Sequence, residues 1–447
     1  MVEAQQVSEK LDQLMGVLGR WFVRREPWQQ ARKYLTGLMS DLPRKNCWSL
    51  AEYAGDRTPD RMQRLLERAV WDEAAAMRAV GAFVVDHLRP DQADALVVAV
   101  LDESGQEKQG EHTAGVKPQY VGCAGQVTNA INFVNCTYSS PAGHALVGSR
   151  LYIPVDQATD ADRRTAMGIP EDVVFKTKPE LAADLLAEQF AVGAQIPWCA
   201  ADTVYGQDPT FRAFCETHAI GYVLGVPCSF HLQLPSGRRL RADTATTLVR
   251  KRSWTTASAG AGSKGDRAWA WAWLATASPR HYLLIRRNLA KPADLAYFYC
   301  FVPEGRPVTL GVLLAVEGRR WTIEEDHEFG KDHFGFDQAQ VRRHRSIYRH
   351  LVLVMAALAV CAITVAQAHP RTGCLPAPPR SLHDAPPDDP GLIGLTVPEV
   401  KRLFNLLTRV WHATTHHLHW SWWRRRHQAR ARWFHQRARL NKQAKAA

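Results

Sequence analysis

The spacing of apolar and polar positions changes along the chain, and each change predicts a different kind of structure. In residues 1–90, Val7, Leu11, Leu14, Leu18 and Trp21 keep one helical stripe. Pro27 reads as a helix start, and Ser49 and Glu52 stand at capping-box spacing behind Trp48. Thr58-Pro59 reads as a cap with a first-turn proline, and Asp72 caps a helix expected from Glu73 to Leu88. From about residue 94 the period shortens. Leu96 to Leu101 are six apolar residues in a row, which predicts a strand buried on both faces. Asp102 is the first charge after it, and Glu103-Ser104-Gly105 is expected to turn. Asn129–Tyr138 and Ala145–Ile153, with Ser139–Gly143 between them, predict a hairpin beside that strand. A helix over Pro179–Gly193, a strand over Ile196–Ala201, a helix capped by Asp208-Pro209 and a strand over Gly221–Val226 follow.

The predicted order is strand, strand, strand, helix, strand, helix, strand. Asp102 lies at the end of the first strand and Asp202 just after the fourth. Taken singly, an Asp at such a place opens a turn. Taken together, two carboxylates at the ends of two buried strands suit a hard cation. The order and the placement of both acids are those of RNase H-like nucleases, so the expected fold is α/β with a mixed-sheet core of that kind.

Residues 228–305 break the rhythm. A small hairpin is expected around Pro235-Ser236-Gly237, Trp269, Trp271 and Trp273 alternate at period two, and two further apolar strands follow. This predicts a β-rich insertion with a glycine-rich loop over 258–265. The loop lacks the Gly-Lys-Ser/Thr of a phosphate-binding motif. It reads as a flexible basic loop, with Lys264 a candidate contact to a DNA backbone, and equally as a plain loop. The alternating Trp residues read as sheet packing. Beyond Pro307 a helical pattern returns, with Arg320, Glu324, Glu328 and Lys331 on one stripe. Such a stripe serves as an exposed face with i,i+4 pairs, or as a third carboxylate, Glu324, flanked by bases that grip phosphate. Glu325 and Glu328 are rivals for the carboxylate role. Leu351–Val365 is shorter than the ~20 residues a membrane span needs and reads as a buried helix. Residues 369–390 are Pro-rich and read as a linker.

Composition changes the picture in one respect. Of 447 residues, 46% are hydrophobic and 22% charged, which is ordinary, but the net charge of +12 favours a polyanionic partner. Twelve Lys and Arg and no Asp or Glu fall in 401–447, interleaved with Trp411, Trp420, Trp422, Trp423 and Trp433. A basic aromatic helix pair is expected there, with Arg424, Arg425 and Arg426 as candidate DNA contacts. His412, His416, His417 and His419 lack Cys or acidic partners and read as solvated or DNA-facing rather than metal-binding. Near the start, Arg24, Arg25, Arg32, Lys33, Arg44 and Lys45 lie among Trp21, Trp28 and Trp48. That is the composition of a helical DNA-binding module, and equally of a packing domain with solvated charges. Nine scattered Cys without a CxxC pair argue for reduced thiols, and the polar N-terminus argues against a signal peptide, so a cytoplasmic protein with no membrane partner is expected.

Several blocks carry a resemblance: Trp21-Phe22-Val23-Arg24-Arg25-Glu26-Pro27, Arg44-Lys45-Asn46-Cys47-Trp48, Asp102-Glu103-Ser104-Gly105, Gly115-Val116-Lys117-Pro118-Gln119-Tyr120 and Leu151-Tyr152-Ile153-Pro154. Ala201-Asp202-Thr203-Val204-Tyr205-Gly206, Arg320-Trp321-Thr322-Ile323-Glu324-Glu325, Tyr348-Arg349-His350 and Trp420-Ser421-Trp422-Trp423-Arg424-Arg425-Arg426-His427 continue it. Together they resemble the insertion-sequence 701 group of DDE transposases. A Tyr-x2-Arg-x3-Glu-x6-Lys signature of the relatives falls on Arg320, Glu324 and Lys331, with Glu317 where the Tyr would stand. Gln109 and Pro118 replace expected basic residues. The resemblance implies a catalytic and metal-binding triad of Asp102, Asp202 and Glu324, holding two Mg2+ or Mn2+ ions. It implies cutting and joining of double-stranded DNA at terminal inverted repeats, insertion into target DNA, and a homodimer on DNA. A protein derived from such an element that binds DNA without cutting is the alternative, and the changes at Glu317, Gln109 and Pro118 are its support. The implied organisation is a helical DNA-binding domain (1–90), a core in two parts (91–227 and 306–368) around the insertion (228–305), a linker (369–400) and the basic tail (401–447).

Overall fold

A computed structural model of the chain describes residues 2–122, 125–262, 265–377 and 384–446. Five helices come first: α1 (Val2–Leu18), α2 (Arg25–Leu38), α3 (Cys47–Tyr53), α4 (Asp60–Glu67) and α5 (Glu73–Leu88). The hairpin strands follow as β1 (Val98–Glu107), β2 (Lys117–Val121), β3 (Gln126–Ser140) and β4 (Gly143–Leu151). Then come α6 (Val155–Thr159), α7 (Ala161–Met167), α8 (Lys178–Ala191), β5 (Trp198–Ala201), α9 (Thr203–Gly206), α10 (Pro209–Thr217) and β6 (Gly221–Val226). Of the expected helix caps, Asp72 and Asp208 accept a backbone N–H from the first turn of the helix they open, as Thr177 also does. The other two are corrections: the capping box of α3 is Asn46 with Ser49, one turn before the expected Ser49 and Glu52, and α4 starts behind Pro59 with no side-chain cap from Thr58.

One ten-stranded mixed sheet carries the molecule, in the order β2-β3-β1-β5-β6, with β4 also paired to β3. β1 runs antiparallel to β3 and parallel to β5, and β5 parallel to β6. The turn expected at Glu103-Ser104-Gly105 is absent. β1 continues to Glu107 because β3 pairs with it along its whole length, whereas β5 stops at Ala201. Ser104 and Gln106 of this extension are buried, and Gln106 donates to the carbonyl of Ala339 at 3.0 Å. Buried polar side chains, of which Gln106 has internal partners and the Ser104 hydroxyl has none, thus replace the apolar alternation a strand ordinarily shows.

The next strands are β7 (His231–Gln233) and β8 (Arg239–Arg241), a small separate hairpin, and the short helix α11 (Ala242–Thr246). β9 (Thr255–Gly262), β10 (Gly265–Ala275), β11 (His281–Arg287) and β12 (Leu295–Phe301) do not form a sheet of their own. They extend the main sheet in the order β6-β12-β11-β10-β9, so the β-rich stretch is continuous with the core. The expected glycine-rich loop is the two arms of the β9–β10 hairpin, where ladder hydrogen bonds pair Gly262 with Gly265. Lys264 lies outside the described residues. Trp271 is fully buried and donates its Nε1–H to the carbonyl of Ala257 at 3.1 Å, in keeping with sheet packing.

Helices complete the chain: α12 (Leu310–Arg319), α13 (Trp321–Phe334), α14 (His344–Thr372), α15 (Val397–Thr408) and α16 (Thr414–Ala446). α14 is long and apolar enough to cross a membrane, yet 83% of its apolar window is buried inside the protein. It is the post around which α1, α2, α4 and α5 pack, so one apolar core runs from Val7 to Trp420. Arg349 pins this packing from within: 2% exposed, it bonds Glu73 at 3.1 Å and the carbonyl of Trp71 at 3.2 Å. Its neighbour His350 lies between the Tyr34 hydroxyl and the Gly335 carbonyl.

Candidate active site

Asp102 and Asp202 occupy matching positions on adjacent parallel strands. Leu101 pairs with Ala201, and each acid is the next residue. Neighbouring strands lie about 5 Å apart, so the two carboxyls emerge side by side where β5 ends and β1 runs on. Asp102 accepts the Glu103 N–H at 2.7 Å, and Asp202 caps α9 by accepting the Val204 N–H at 2.9 Å. Burial pushes the Asp102 carboxyl up to about 7, a rise opposed by the Glu103 N–H and reinforced by Asp202. Asp202 is raised as well, by burial first, against the Val204 N–H and the nearby Arg320. Two partly buried carboxyls side by side, both with raised proton affinity, form a local demand for positive charge.

α13 lies over the face that Asp102 presents. Asn135 is directly opposite Asp102 on β3, so their side chains share a face, and Asn135 Nδ2 lies 3.0 Å from Nε2 of His327. His327 is one turn beyond Glu324. Arg320, the residue between α12 and α13, bonds Glu324 Oε1 at 2.8 Å, and its guanidinium also acts electrostatically on Asp102, Asp202 and Glu317. A single guanidinium is therefore the shared neighbour of the three expected acids. Among the described residues no three His, Cys, Asp or Glu side chains already form a metal cage. The structure brings Asp102 and Asp202 together and ties Glu324 to them through Arg320.

The rival acids are engaged elsewhere. His144 at the start of β4 lies 3.1 Å from Glu325 and 3.0 Å from Asp326, and Asp326 also accepts the Thr137 hydroxyl at 2.7 Å. Burial alone would lower the His144 imidazole, but the two carboxylates outweigh it and raise it to about 10. Glu328 is exposed. Glu317 is 5% exposed and pairs with Arg286 at 2.6 Å, whose guanidinium lies over Trp269 at 4.6 Å. The departure from Tyr at this position is thus matched by a local cation. On the opposite face of β1, Glu103 meets Lys178 at 2.7 Å and the Tyr205 hydroxyl at 3.4 Å. An open cavity of ≈ 540 Å³ borders Asp202, walled by Pro227, Arg286, Tyr297, Phe298 and Arg320. His144, Arg286 and Lys178 carried no sequence signal, because each is recruited by a partner far along the chain.

The expected DNA contacts divide. Arg24, Arg25 and Arg44 are exposed at the ends of the first helices, and Arg425 and Arg426 are exposed on α16. Lys331 is half-buried on α13. Lys45 is a correction: it is 3% exposed, its ammonium donates to the Leu42 carbonyl, and burial pushes it down to about 8, so it is structural. Arg424 is paired with Glu52. The tail helix is rooted on α3 and α4. Trp420 is fully buried and donates to the Asp56 carbonyl at 2.9 Å. His412, His416 and His419 meet the carbonyls of Tyr53, Glu52 and Arg57 at 2.8–2.9 Å. Those three His residues are packing groups, not solvated ones.

The chain matches the family model of the DDE superfamily endonucleases over residues 14–274, more than half of its length, and belongs to that family. The match takes in Asp102 and Asp202 and ends before Glu324. More particularly, the chain is similar to the probable transposase for insertion sequence element IS701 of Microchaete diplosiphon, with 25% identity over 210 residues. That alignment covers 46% of this chain and spans about half (50%) of the relative. Among solved structures it is similar to the piggyBac transposase in its synaptic complex with hairpin DNA, at a TM-score of 0.46 and 10% identity, over 89% of this chain and 77% of that one.

Proposed function

We propose that the chain is a transposase that cuts DNA at the ends of an insertion sequence and joins the freed ends to target DNA. Asp102, Asp202 and Glu324 are its metal-binding carboxylates, on an RNase H-like core made of β1, β3, β4, β5, β6 and α13. The observation that carries the reading is the side-by-side emergence of Asp102 and Asp202 from adjacent parallel strands, with Glu324 linked to both through Arg320. The donor set fits Mg2+ or Mn2+: all ligands are hard oxygens, and the two raised carboxyls lack a charge equal to their own. When bound, two such ions supply Lewis acidity to the attacking and the leaving oxygen.

The chain's own residues supply the rest. Asp102 and Asp202 hold positive charge as carboxylates, and Glu324 exchanges its bond with Arg320 for the same role. Arg320, released by Glu324, and Lys331, half-exposed two turns further along α13, hold phosphate oxygens of the strand to be cut. In hydrolysis a water oxygen bonds to phosphorus as the bond to the 3′ oxygen breaks; the water gives up a proton to solvent, and the leaving 3′ oxygen takes one up to become a 3′ hydroxyl. In joining, that 3′ hydroxyl attacks a target phosphodiester, one P–O bond forming as another breaks. Neither step needs a covalent protein intermediate. Two inverted ends call for two copies of the chain on the DNA. Glu317, neutralised by Arg286, gives no ground for reading the site as inactive.

The test is nicking of a plasmid that carries the element's terminal repeats, with Mg2+ added. The unaltered chain is expected to nick, and Asp202→Asn to bind the plasmid without nicking. Nicking that persists in Asp202→Asn overturns the reading.

A further inference from the structure

α16 has two halves of different character. Its first turns are locked onto α3 and α4 by Trp420, the three His–carbonyl contacts and the Arg424–Glu52 pair. From Arg425 onward it is almost wholly exposed. From the end of the locked turns outward, Trp422, Arg426, Arg430, Trp433 and Arg437 fall within about 80° of arc at helical spacing. They form a stripe about 22 Å long at 1.5 Å per residue. Trp422 is 53% and Trp433 56% exposed. Arg426 lies over the Trp422 ring at 5.1 Å and Arg437 over the Trp433 ring at 5.0 Å. The root of the stripe is a cleft of ≈ 400 Å³ against α4, where Asp60 and Gln63 face Trp422, Trp423, Arg426 and Arg430.

No acid lies on α16 to neutralise these arginines. A guanidinium stacked on a ring keeps its N–H edge free for phosphate oxygens. A duplex needs only the charges, since its base faces are stacked inside. Large indole faces left in water beside each arginine serve something that offers both phosphates and open base faces. We propose that the Trp422–Arg437 stripe, with the cleft at its root, binds an unpaired stretch of DNA, Arg426, Arg430 and Arg437 holding phosphates while Trp422 and Trp433 stack on bases. The rigid root presents the stripe already ordered. This rests on the proposed DNA-cutting function, which frees strand ends beside the protein.

The test uses the full chain, a labelled single-stranded oligothymidylate and a blunt duplex of equal length, titrated over a range of salt. Trp422→Ala with Trp433→Ala is expected to weaken single-strand binding by about tenfold or more and to leave duplex binding unchanged. Phe at both positions is expected to restore most of the loss, which a folding defect would not allow. Gln at Arg426, Arg430 and Arg437 is expected to flatten the log–log salt dependence of single-strand binding by about 2, at roughly 0.7 per phosphate contact. The assignment is overturned if the Trp pair binds the single strand as the unaltered chain does, or loses both forms of DNA equally. If the unaltered chain nicks element ends while that happens, the cutting function stands and the stripe alone fails. A chain that neither nicks nor binds defeats both.

Discussion

Arg320 and Arg424 each meet a glutamate, yet the two regions they serve are built on opposite principles. At the ends of the central strands β1 and β5, Arg320 is set among Asp102, Asp202, Glu317 and Glu324, where burial and the neighbouring Asp202 raise the proton affinity of Asp102. A cavity opens beside Asp202, and Arg320 and Arg286 are among its walls. At the root of the tail, apolar burial of Trp420 and hydrogen bonds to main-chain carbonyls hold the contact, and the Arg424–Glu52 pair lies at its rim. The first region carries an electrostatic cost that a proton or a bound cation would relieve, while the second is relieved already. Sites retained for chemistry hold such unresolved charge, and packing contacts do not.

The comparison breaks most visibly at the acids. Asp202→Asn removes one of two facing carboxylates, and plasmid nicking is expected to fall by at least about 10³-fold, the scale of losing a preorganised charge in an active site. Its melting temperature without metal should hold or rise, because the site loses a repulsion. A melting temperature that drops with the activity would mean that Asp202 is a structural cap. At the tail the expectation reverses. Trp420→Ala empties a fully buried site and should cost about 3–5 kcal/mol, read by denaturant unfolding. Early proteolysis between α15 and α16 should accompany it. A loss under about 1 kcal/mol would show that the root is held by its charges instead.

Local signals made one part of this molecule legible. The apolar runs at 98–101, 198–201 and 221–226 and the capping residues Asp72, Asp202 and Asp208 were readable because strand burial and helix starts are decided within a few residues. Their placement located both aspartates. The continuation of β1 through Glu103 to Glu107 was not readable, since its polar residues find partners on β3 and beyond α13 rather than in a repeating pattern. Nor was the joining of β12 to β6, a pairing across some seventy residues that no periodicity records. Lys45 misled for a related reason: a basic residue among aromatics reads as a DNA contact, but its aliphatic stem is buried and its ammonium satisfied by the main chain.

A smaller effect distinguishes the two regions by pH. The Asp102 carboxyl stands at about 7 in the folded chain, against an ordinary value near 4. The folded state therefore binds more protons than the unfolded state between those values, and metal-free stability falls as pH rises from about 4 to 7. The full shift corresponds to about 4 kcal/mol, and roughly half of that is expected for a site partly open to water. Asp102→Asn should make this slope shallower in denaturant melts, leaving the share of Asp202, and saturating Mg2+ should flatten it by favouring the ionised carboxyls. A slope that Asp102→Asn leaves undiminished would assign the charge demand to a group other than Asp102. His144 acts at higher pH: its stabilisation is complete below about 6.5 and is lost as pH climbs towards 10.

The smallest effect sharpens the contrast most. Arg424 pairs with Glu52 at the rim of the tail contact, with 38% of its side chain exposed and 22% of its partner's. A pair so placed is screened by water and salt, so Arg424→Gln should change stability by no more than about 1 kcal/mol. The tail should stay docked, because Trp420 and the three imidazole–carbonyl contacts remain. DNA affinity should change little as well, since Arg424 already spends its charge on Glu52, whereas Arg426, two positions on, faces solvent. Measured side by side, Arg424→Gln and Arg426→Gln differ by one position class on the same helix and conserve the same net charge. Equal losses of DNA binding would mean that the Glu52 pair opens when DNA arrives, and that the root of α16 belongs to the binding surface rather than to the fold.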